Sequence, residues 1–113
     1  MAGQQLSSLR IYLRRDDLSP GPRREPLVRA IIEAARADGI DYASAMFGQE
    51  GFALGGRPGQ HLPVCIELVA APPALERFVA ERGELLAGAT LLLSEGTRLL
   101  TEVDALVEPL GRG

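Results

Sequence analysis

Lysine is absent from this sequence, and all 12 basic residues are arginine. Because a Walker-type phosphate loop and Schiff-base chemistry both need a lysine, neither is expected. Cysteine occurs once, at Cys65, which excludes a disulfide within the chain and fits a reducing compartment. Histidine also occurs once, at His61, and no second ligand lies at the spacing of a metal site. We expect no metal, no cofactor and no catalytic nucleophile: His61 precedes a strand, and Cys65 is an inert buried thiol within it.

Aromatic residues and long apolar runs are also scarce. Two tyrosines, three phenylalanines and no tryptophan are too few for a platform on which bases stack. A net charge of −3 argues against a protein held on nucleic acid by phosphate contacts. No apolar run approaches the roughly 20 residues that cross a bilayer, and the N-terminus has no apolar signal core. We therefore expect a cytoplasmic protein that does not bind nucleic acid.

The 113 residues are 46% hydrophobic and 24% charged, which is ordinary for a globular protein. A chain of this length can bury one core but not two. We predict a single domain over residues 1–113, with its core at about 8–100 and a C-terminal tail at 101–113.

The first half of the core contains a strand pattern and then a helix pattern. Residues 8–15 alternate between apolar and polar side chains, as in a half-buried strand. A helix then begins at Pro26, since proline is favoured in the first helical turn. Gly39 is predicted to end it in the left-handed conformation, with Ile40 folding back on the last turn. The helix carries an apolar stripe made of Leu27, Val28, Ile31, Ile32 and Ala35.

The second half adds three strands and one helix. Residues 42–52 predict a strand that glycines weaken, and residues 62–70 predict a stronger one with clean alternation. A second helix opens at Pro72 and Pro73 and is predicted to stop at Gly88. Residues 89–100 return to a strand pattern, with a bulge or turn expected at Gly96.

The order strand, helix, strand, strand, helix, strand predicts an α+β fold, the ferredoxin-like βαββαβ sandwich. In it, two helices cover one face of a four-stranded antiparallel sheet. The first and third strands are central neighbours, so Arg10 and Glu67 are expected to pair across them. Tyr12 and Cys65 share that second face, and its partly apolar character predicts that another subunit covers it.

Residues 47–61, FGQEGFALGGRPGQH, contain five glycines and have two interpretations. A phosphate cradle aims backbone N–H groups at an anion, usually at a helix N-terminus, but a strand follows this stretch. The structural interpretation is strand bends followed by a turn around Arg57. The alternative is a loop that lines a ligand, with Gly48 and Gly51 close to it and Arg57 as the anion contact.

Two further arginines are candidate ligand contacts. Arg14 lies in a charged corner with Arg15, Asp16 and Asp17, which is either a solvated loop or a ligand contact. Arg98 lies in the last predicted strand, as a solvent-facing charge or as a second anion contact.

Several segments carry a family resemblance: LRIYL, PLVRAIIEAARADGI, FGQEGF and LPVCIELV. From about Leu9 to Leu100, the chain resembles the PII-like proteins of domain of unknown function family 190. The resemblance implies a ferredoxin-like subunit, a homotrimer, and ligands held in clefts between subunits, often adenine nucleotides in the wider superfamily. It also implies that the charged corner at Arg14 is the rim of such a cleft, because the end of the first strand lies near it in PII-like trimers. It also implies regulation of partner proteins, some of them membrane transporters.

The chain departs from the family pattern near the glycine-rich loop. Phe47 stands where an arginine is common, Ala53 replaces a glycine, and the loop before the third strand is short. Two hypotheses result. The first is a non-enzymatic PII-like regulatory or ligand-sensing protein that binds a small anion, such as an adenine nucleotide, between subunits. The second is a structural or interaction trimer without a ligand site, which modulates a partner such as a membrane transporter.

Overall fold

The computed structural model describes residues 3–51 and 62–99, which form four strands and three helices. The strands and helices follow the predicted order, with one additional short helix before the last strand. In chain order, the elements are β1 (Gly3–Arg14), α1 (Leu27–Ala37), β2 (Tyr42–Phe47), β3 (Pro63–Ala70), α2 (Pro72–Glu81), α3 (Gly83–Leu86) and β4 (Thr90–Leu99). Residues 101–113, the predicted tail, lie outside the described residues.

All strand pairs are antiparallel, and the strand order in the sheet is β2-β3-β1-β4. β1 and β3 are therefore the central neighbours, as predicted. In their register Arg10 lies opposite Glu67 and Tyr12 lies opposite Cys65. The α+β ferredoxin-like architecture expected from the element order is confirmed.

The core lies between the helices and one face of the sheet. Alternate residues of β1 and β3 are turned to this face, because successive side chains of a strand point in opposite directions. On α1, Ile31 and Ala35 are fully buried, whereas Val28 and Ile32 are only partly buried at the side of the helix. The core residues of the two central strands are Leu9, Ile11, Leu13, Val64, Ile66, Leu68 and Ala70.

The C-terminus of α1 ends as the sequence predicts. Gly39 has φ +75°, and its N–H donates to the carbonyl of Arg36 at 3.2 Å. The N–H of Ile40 donates to the carbonyl of Ala35 at 3.0 Å, which completes a Schellman motif. Ile40 packs against the core, so the predicted return of the chain onto the last turn is confirmed.

Three predicted boundaries are wrong. β2 ends at Phe47 rather than at residue 52, because Gly51 has φ +114°, a backbone conformation outside the strand region. α1 begins at Leu27 rather than at Pro26, because Pro26 is the N-cap residue and its ψ of 126° is not helical. β4 has no bulge or turn at Gly96, since that residue pairs with Leu6 in an unbroken register.

The second helix is not continuous to Gly88. It breaks at Arg82, where φ is −107° and ψ is 27°, and a short α3 follows. At this break the Arg82 guanidinium donates two hydrogen bonds to the carboxylate of Asp38, at 2.6 and 2.9 Å. These bonds join the break to the C-terminus of α1. They hold the pKa of Asp38 below its ordinary value.

Candidate functional site

Two of the five predicted ligand residues meet at one end of the sheet, where β1 and β2 end and β3 begins. Arg14 is paired with Pro63, and the N–H of Gly48 donates to the carbonyl of Pro63 at 2.9 Å. Arg14 and Gly48 therefore lie on opposite sides of Pro63, two strand spacings or about 10 Å apart. We call Arg14, Asp17, Gly48 and Pro63 the strand-end cluster.

The two predicted ligand glycines, Gly48 and Gly51, have different structural roles. A Cβ on Gly48 would lie 3.0 Å from Cγ and 3.2 Å from the carbonyl oxygen of Pro63, so the backbones approach too closely for a side chain. Gly51 has open space around it, but its φ of +114° is one that residues with a side chain rarely adopt. Both glycines are thus explained by the backbone, and their contact with a ligand stays a prediction.

The side chain of Arg14 is held by its own turn. Its Nε donates to Asp17 Oδ1 at 3.3 Å, and its backbone N–H donates to Asp17 Oδ2 at 2.9 Å. The side chain is still 42% exposed, whereas that of Asp17 is 23% exposed. Arg14 is therefore accessible from solvent but already has one carboxylate partner.

Of the other two predicted arginines, only Arg98 belongs to the described residues, and it lies away from the cluster. The backbone of Arg98 pairs with Gln4. Gln4 lies ten residues before Arg14 along β1, about 33 Å away, so Arg98 sits at the opposite end of the sheet. Arg57 falls in residues 52–61, outside the described residues, as does His61.

A groove that the sequence did not predict runs beside this sheet end, between α1 and the edge strand β2. Its volume is about 470 Å³, and its walls combine apolar side chains with three arginines and one glutamate. We call it the arginine groove, and it is lined by Arg15, Pro26, Val28, Arg29, Ile32, Glu33, Arg36 and Phe47.

The groove has an amphipathic character. The Arg15 guanidinium lies 5.5 Å from the centre of the Phe47 ring, within cation–π range, and Phe47 remains 50% exposed. Val28 and Ile32, which the sequence predicts to be part of the core stripe, pack against the core and also form part of this wall. The available signal was the helical spacing that places Arg29 and Arg36 on the same side as those two residues.

The face of the sheet opposite the helices, here called the open sheet face, carries a small polar network. Arg10 Nε donates to Glu67 Oε2 at 3.3 Å, and Ser8 Oγ donates to the same oxygen at 3.0 Å. The hydrogen bond to Glu67 raises the pKa of the Arg10 guanidinium above its ordinary value, and Tyr12 adds to this effect. The predicted pairing of Arg10 with Glu67 is confirmed.

Apolar side chains surround that network. Tyr42, Met46 and Leu92 are 59%, 57% and 54% exposed, and the strand register places them on the open sheet face. Tyr12 and Cys65 lie between them and are half-buried, so Cys65 is not the buried thiol that the sequence suggested. No described residue covers this face.

Within residues 3–51 and 62–99, histidine, cysteine, aspartate and glutamate side chains nowhere gather in a group of three that could hold a metal ion. The helices of these two segments include none with the length and apolar character needed to span a membrane.

Several solved structures share this fold. CPII from Thiomonas intermedia K12, bound to ADP, AMP and acetate, matches with a TM-score of 0.66 and 6% identity, over 92% of this chain and 97% of CPII. CPII bound to ADP, AMP and bicarbonate, where it is described as a nitrogen regulatory PII-like protein, matches with a TM-score of 0.64 and 8% identity, over 86% and 98%. A putative PII-like signaling protein from Thermus thermophilus matches with a TM-score of 0.60 and 10% identity, over 88% and 94%.

These likenesses show that the fold of this chain is PII-like. No curated protein matches its sequence. The model of the DUF190 family, described as Uncharacterized ACR, matches residues 6–98. Since that match covers most of the chain, this protein belongs to the DUF190 family.

Proposed function

We propose that this protein is a PII-like regulatory or ligand-sensing protein that forms a homotrimer and binds a small anion, such as an adenine nucleotide, between subunits. The observation that carries the proposal is the fold shared with CPII, whose structures hold ADP and AMP together with acetate or bicarbonate. The proposed role is regulatory rather than catalytic and is placed in the cytoplasm. A membrane transporter is the partner class that the family resemblance suggests.

The open sheet face supports the proposed assembly. A sheet with helices on one side only leaves its second face to be covered, and here that face exposes Tyr42, Met46 and Leu92. Arg10 and Glu67 on this face form an ion pair, so a subunit that covers the face would not bury an unpaired charge. Identical chains usually assemble with closed cyclic symmetry, and the family resemblance selects three subunits.

The assembly is tested by light scattering after size exclusion, with Tyr12→Glu as the variant. Tyr12 is half-buried on the open sheet face, on the central strand β1 and opposite Cys65 and Thr90 in the register. We expect the wild type to have the mass of three chains and the variant to dissociate, because a carboxylate would be buried without a partner. A wild type with the mass of one chain, 12.1 kDa, would contradict the proposed trimer.

The strand-end cluster supports the proposed ligand site. Arg14 retains exposed donor groups, and the close backbone packing at Gly48 leaves the sheet end uncrowded by a side chain there. A guanidinium suits a phosphate or carboxylate because its parallel N–H groups match two oxygens. Gly51, Arg57 and Arg98 are further contacts in this proposal, the last from a neighbouring subunit.

Calorimetric titration with ATP, ADP, AMP and cyclic AMP tests the ligand. We expect at least one of them to bind, and Arg14→Ala or Arg57→Ala to weaken that binding about tenfold or more, because each removes a charged contact. Arg77→Ala is the matched control, since Arg77 is an exposed arginine on α2, away from the strand-end cluster. No heat from any of the four nucleotides would contradict the nucleotide form of the proposal.

A second candidate is a structural or interaction trimer without a ligand site. It is favoured by the engagement of Arg14 with Asp17, which already satisfies part of its charge, and by Phe47 where an arginine is common in the family. Mass spectrometry of protein purified without added nucleotide distinguishes the two candidates. A nucleotide carried through purification at one per cleft would rule out the second.

A further inference from the structure

The free edge of β2 has backbone groups that face away from the sheet. Gly48 and Pro63 form a hydrogen-bonded pair, and such pairs alternate along an antiparallel ladder. The N–H and C=O groups of Ala43, Ala45 and Phe47 therefore point outward, away from β3. Among residues 3–51 and 62–99, none makes a backbone hydrogen bond to them.

This edge lacks the features by which proteins usually protect an edge strand. The six residues of β2, YASAMF, include no charged residue and no proline. The strand is also regular, since its register with β3 is constant from Tyr42 to Phe47. Its outer edge can therefore accept the backbone of another extended segment.

The arginine groove meets this edge at Phe47, the last residue of β2 and the residue of that strand that lines the groove. Its α1 wall extends from Pro26 to Arg36, about 15 Å along the helix axis, which matches four or five residues of an extended strand. Val28, Ile32 and Phe47 supply apolar surface. A strand added beside β2 would lie against this wall.

The charge of the groove indicates the sign of the segment that fits it. Three arginines against one glutamate leave a local charge of +2 on a chain whose net charge is −3. Within the described parts of the chain, Arg29 and Arg36 form no ion pair. Their charges are therefore available to acidic side chains of a partner.

From this geometry we propose that the free edge of β2, together with the arginine groove, binds an extended acidic peptide of a partner protein by strand addition. Backbone hydrogen bonds to Ala43, Ala45 and Phe47 supply the register, and the arginines select glutamate or aspartate side chains. This proposal does not depend on a nucleotide binding at the neighbouring strand-end cluster.

The test uses a fluorescein-labelled peptide of about seven residues with alternating glutamate and valine, and the same peptide with lysine in place of glutamate. We expect saturable anisotropy with the acidic peptide only, weakening as salt is raised. The double variant Arg29→Glu, Arg36→Glu should lose about tenfold or more in affinity. Arg77→Glu makes the same kind of charge change on α2 and should alter it by less than about twofold. The proposal is overturned if the acidic peptide binds the Arg29→Glu, Arg36→Glu protein as tightly as it binds the Arg77→Glu protein. It is also overturned if the acidic peptide does not bind the wild type at concentrations up to about 1 mM.

Strand addition has a second signature in amide hydrogen exchange. The peptide should slow exchange at Ala43, Ala45 and Phe47, whereas Ser44 and Met46 already donate toward β3 and should change little. Ala45→Pro removes an outward N–H and should abolish binding while leaving the fold intact, because proline is tolerated at such edge positions. Ala45→Ser is the control, because serine keeps the backbone N–H and should leave binding unchanged.

Uniform protection, or binding that survives Ala45→Pro, overturns strand addition. So does a change in molar mass by light scattering in Ala45→Pro, since the edge would then be occupied by a second copy of this chain. The Arg29→Glu, Arg36→Glu protein should bind nucleotide in calorimetry with the same affinity as the wild type. Failure of the peptide proposal can then be distinguished from failure of the nucleotide proposal.

Discussion

Replacing Ile31 with alanine is expected to destabilise the protein strongly. Ile31 is completely buried on the face of α1 that packs against the sheet. The substitution removes three carbon atoms, worth about 2.4 kcal/mol of transfer free energy at about 0.8 kcal/mol each. Because the surrounding core relaxes only in part, the cavity left behind raises the expected loss to about 3–4 kcal/mol.

The matched control is Ile32→Ala, the same change one residue along the same helix. Ile32 is only partly buried, at the wall of the arginine groove, so its expected loss is about 1 kcal/mol. Both variants are measured by urea unfolding, followed by circular dichroism at one protein concentration, since the proposed assembly would make stability depend on concentration. Equal losses at the two positions, or a loss under about 0.5 kcal/mol at Ile31, would mean that α1 faces the sheet differently.

Three smaller predictions concern the helix ends. Gly39→Val should cost about 1–2 kcal/mol by thermal melting, because φ +75° strains a β-branched residue, and an unchanged melting temperature would contradict this. Gly83→Ala should instead stabilise by about 0.5 kcal/mol, since Gly83 begins α3 with open space around it, and any loss would show a hidden clash. Asp38→Asn should cost about 1 kcal/mol near neutral pH, a value kept small because Arg82 is 35% exposed. The lowered pKa of Asp38 makes its contribution complete above about pH 4 and lost as pH falls through the folded-state pKa, so the two proteins should converge in acid.

The parts of the fold that follow from the sequence are those where burial dictates residue type. Strict alternation in β1 and β3 places one set of side chains in the core, and a slip of one residue would expose all of them. Gly39 is similarly constrained, because a left-handed cap favours glycine. These positions allow the strand order and the Arg10–Glu67 pairing to be predicted before any coordinates are known.

The errors in prediction occur where local pattern does not decide the outcome. At the break, Arg82 binds Asp38, 44 positions earlier in the chain, and no pattern around residue 82 announces that contact. The regular pairing of Gly96 is imposed by β1, which is long enough to hold β4 in register. Tertiary partners therefore overrode local propensity in both places.

The candidate sites show the same limit. The glycine pattern indicates Gly48 and Gly51 as candidates. A backbone role and a ligand-binding role both require glycine at these positions, so the sequence alone does not distinguish the two roles. The arginine groove was missed because Val28 and Ile32 fit a core stripe equally well. Whether such residues are buried or line a groove depends on the width of the sheet beneath the helix. On the side of the arginine groove the sheet ends at its edge strand, β2.

The two uncovered surfaces differ in how their charges are arranged, and this difference separates their expected partners. On the open sheet face Arg10 and Glu67 neutralise each other within the chain, so an identical subunit can cover them without burying a lone charge. In the arginine groove, Arg29 and Arg36 have no carboxylate partner among the described residues, so an identical groove would repel and an acidic segment would be attracted. Raising the salt concentration should therefore weaken binding of the acidic peptide and leave the proposed self-assembly largely unchanged. If both interactions weakened together, the apolar side chains of the open sheet face would not be the main source of assembly.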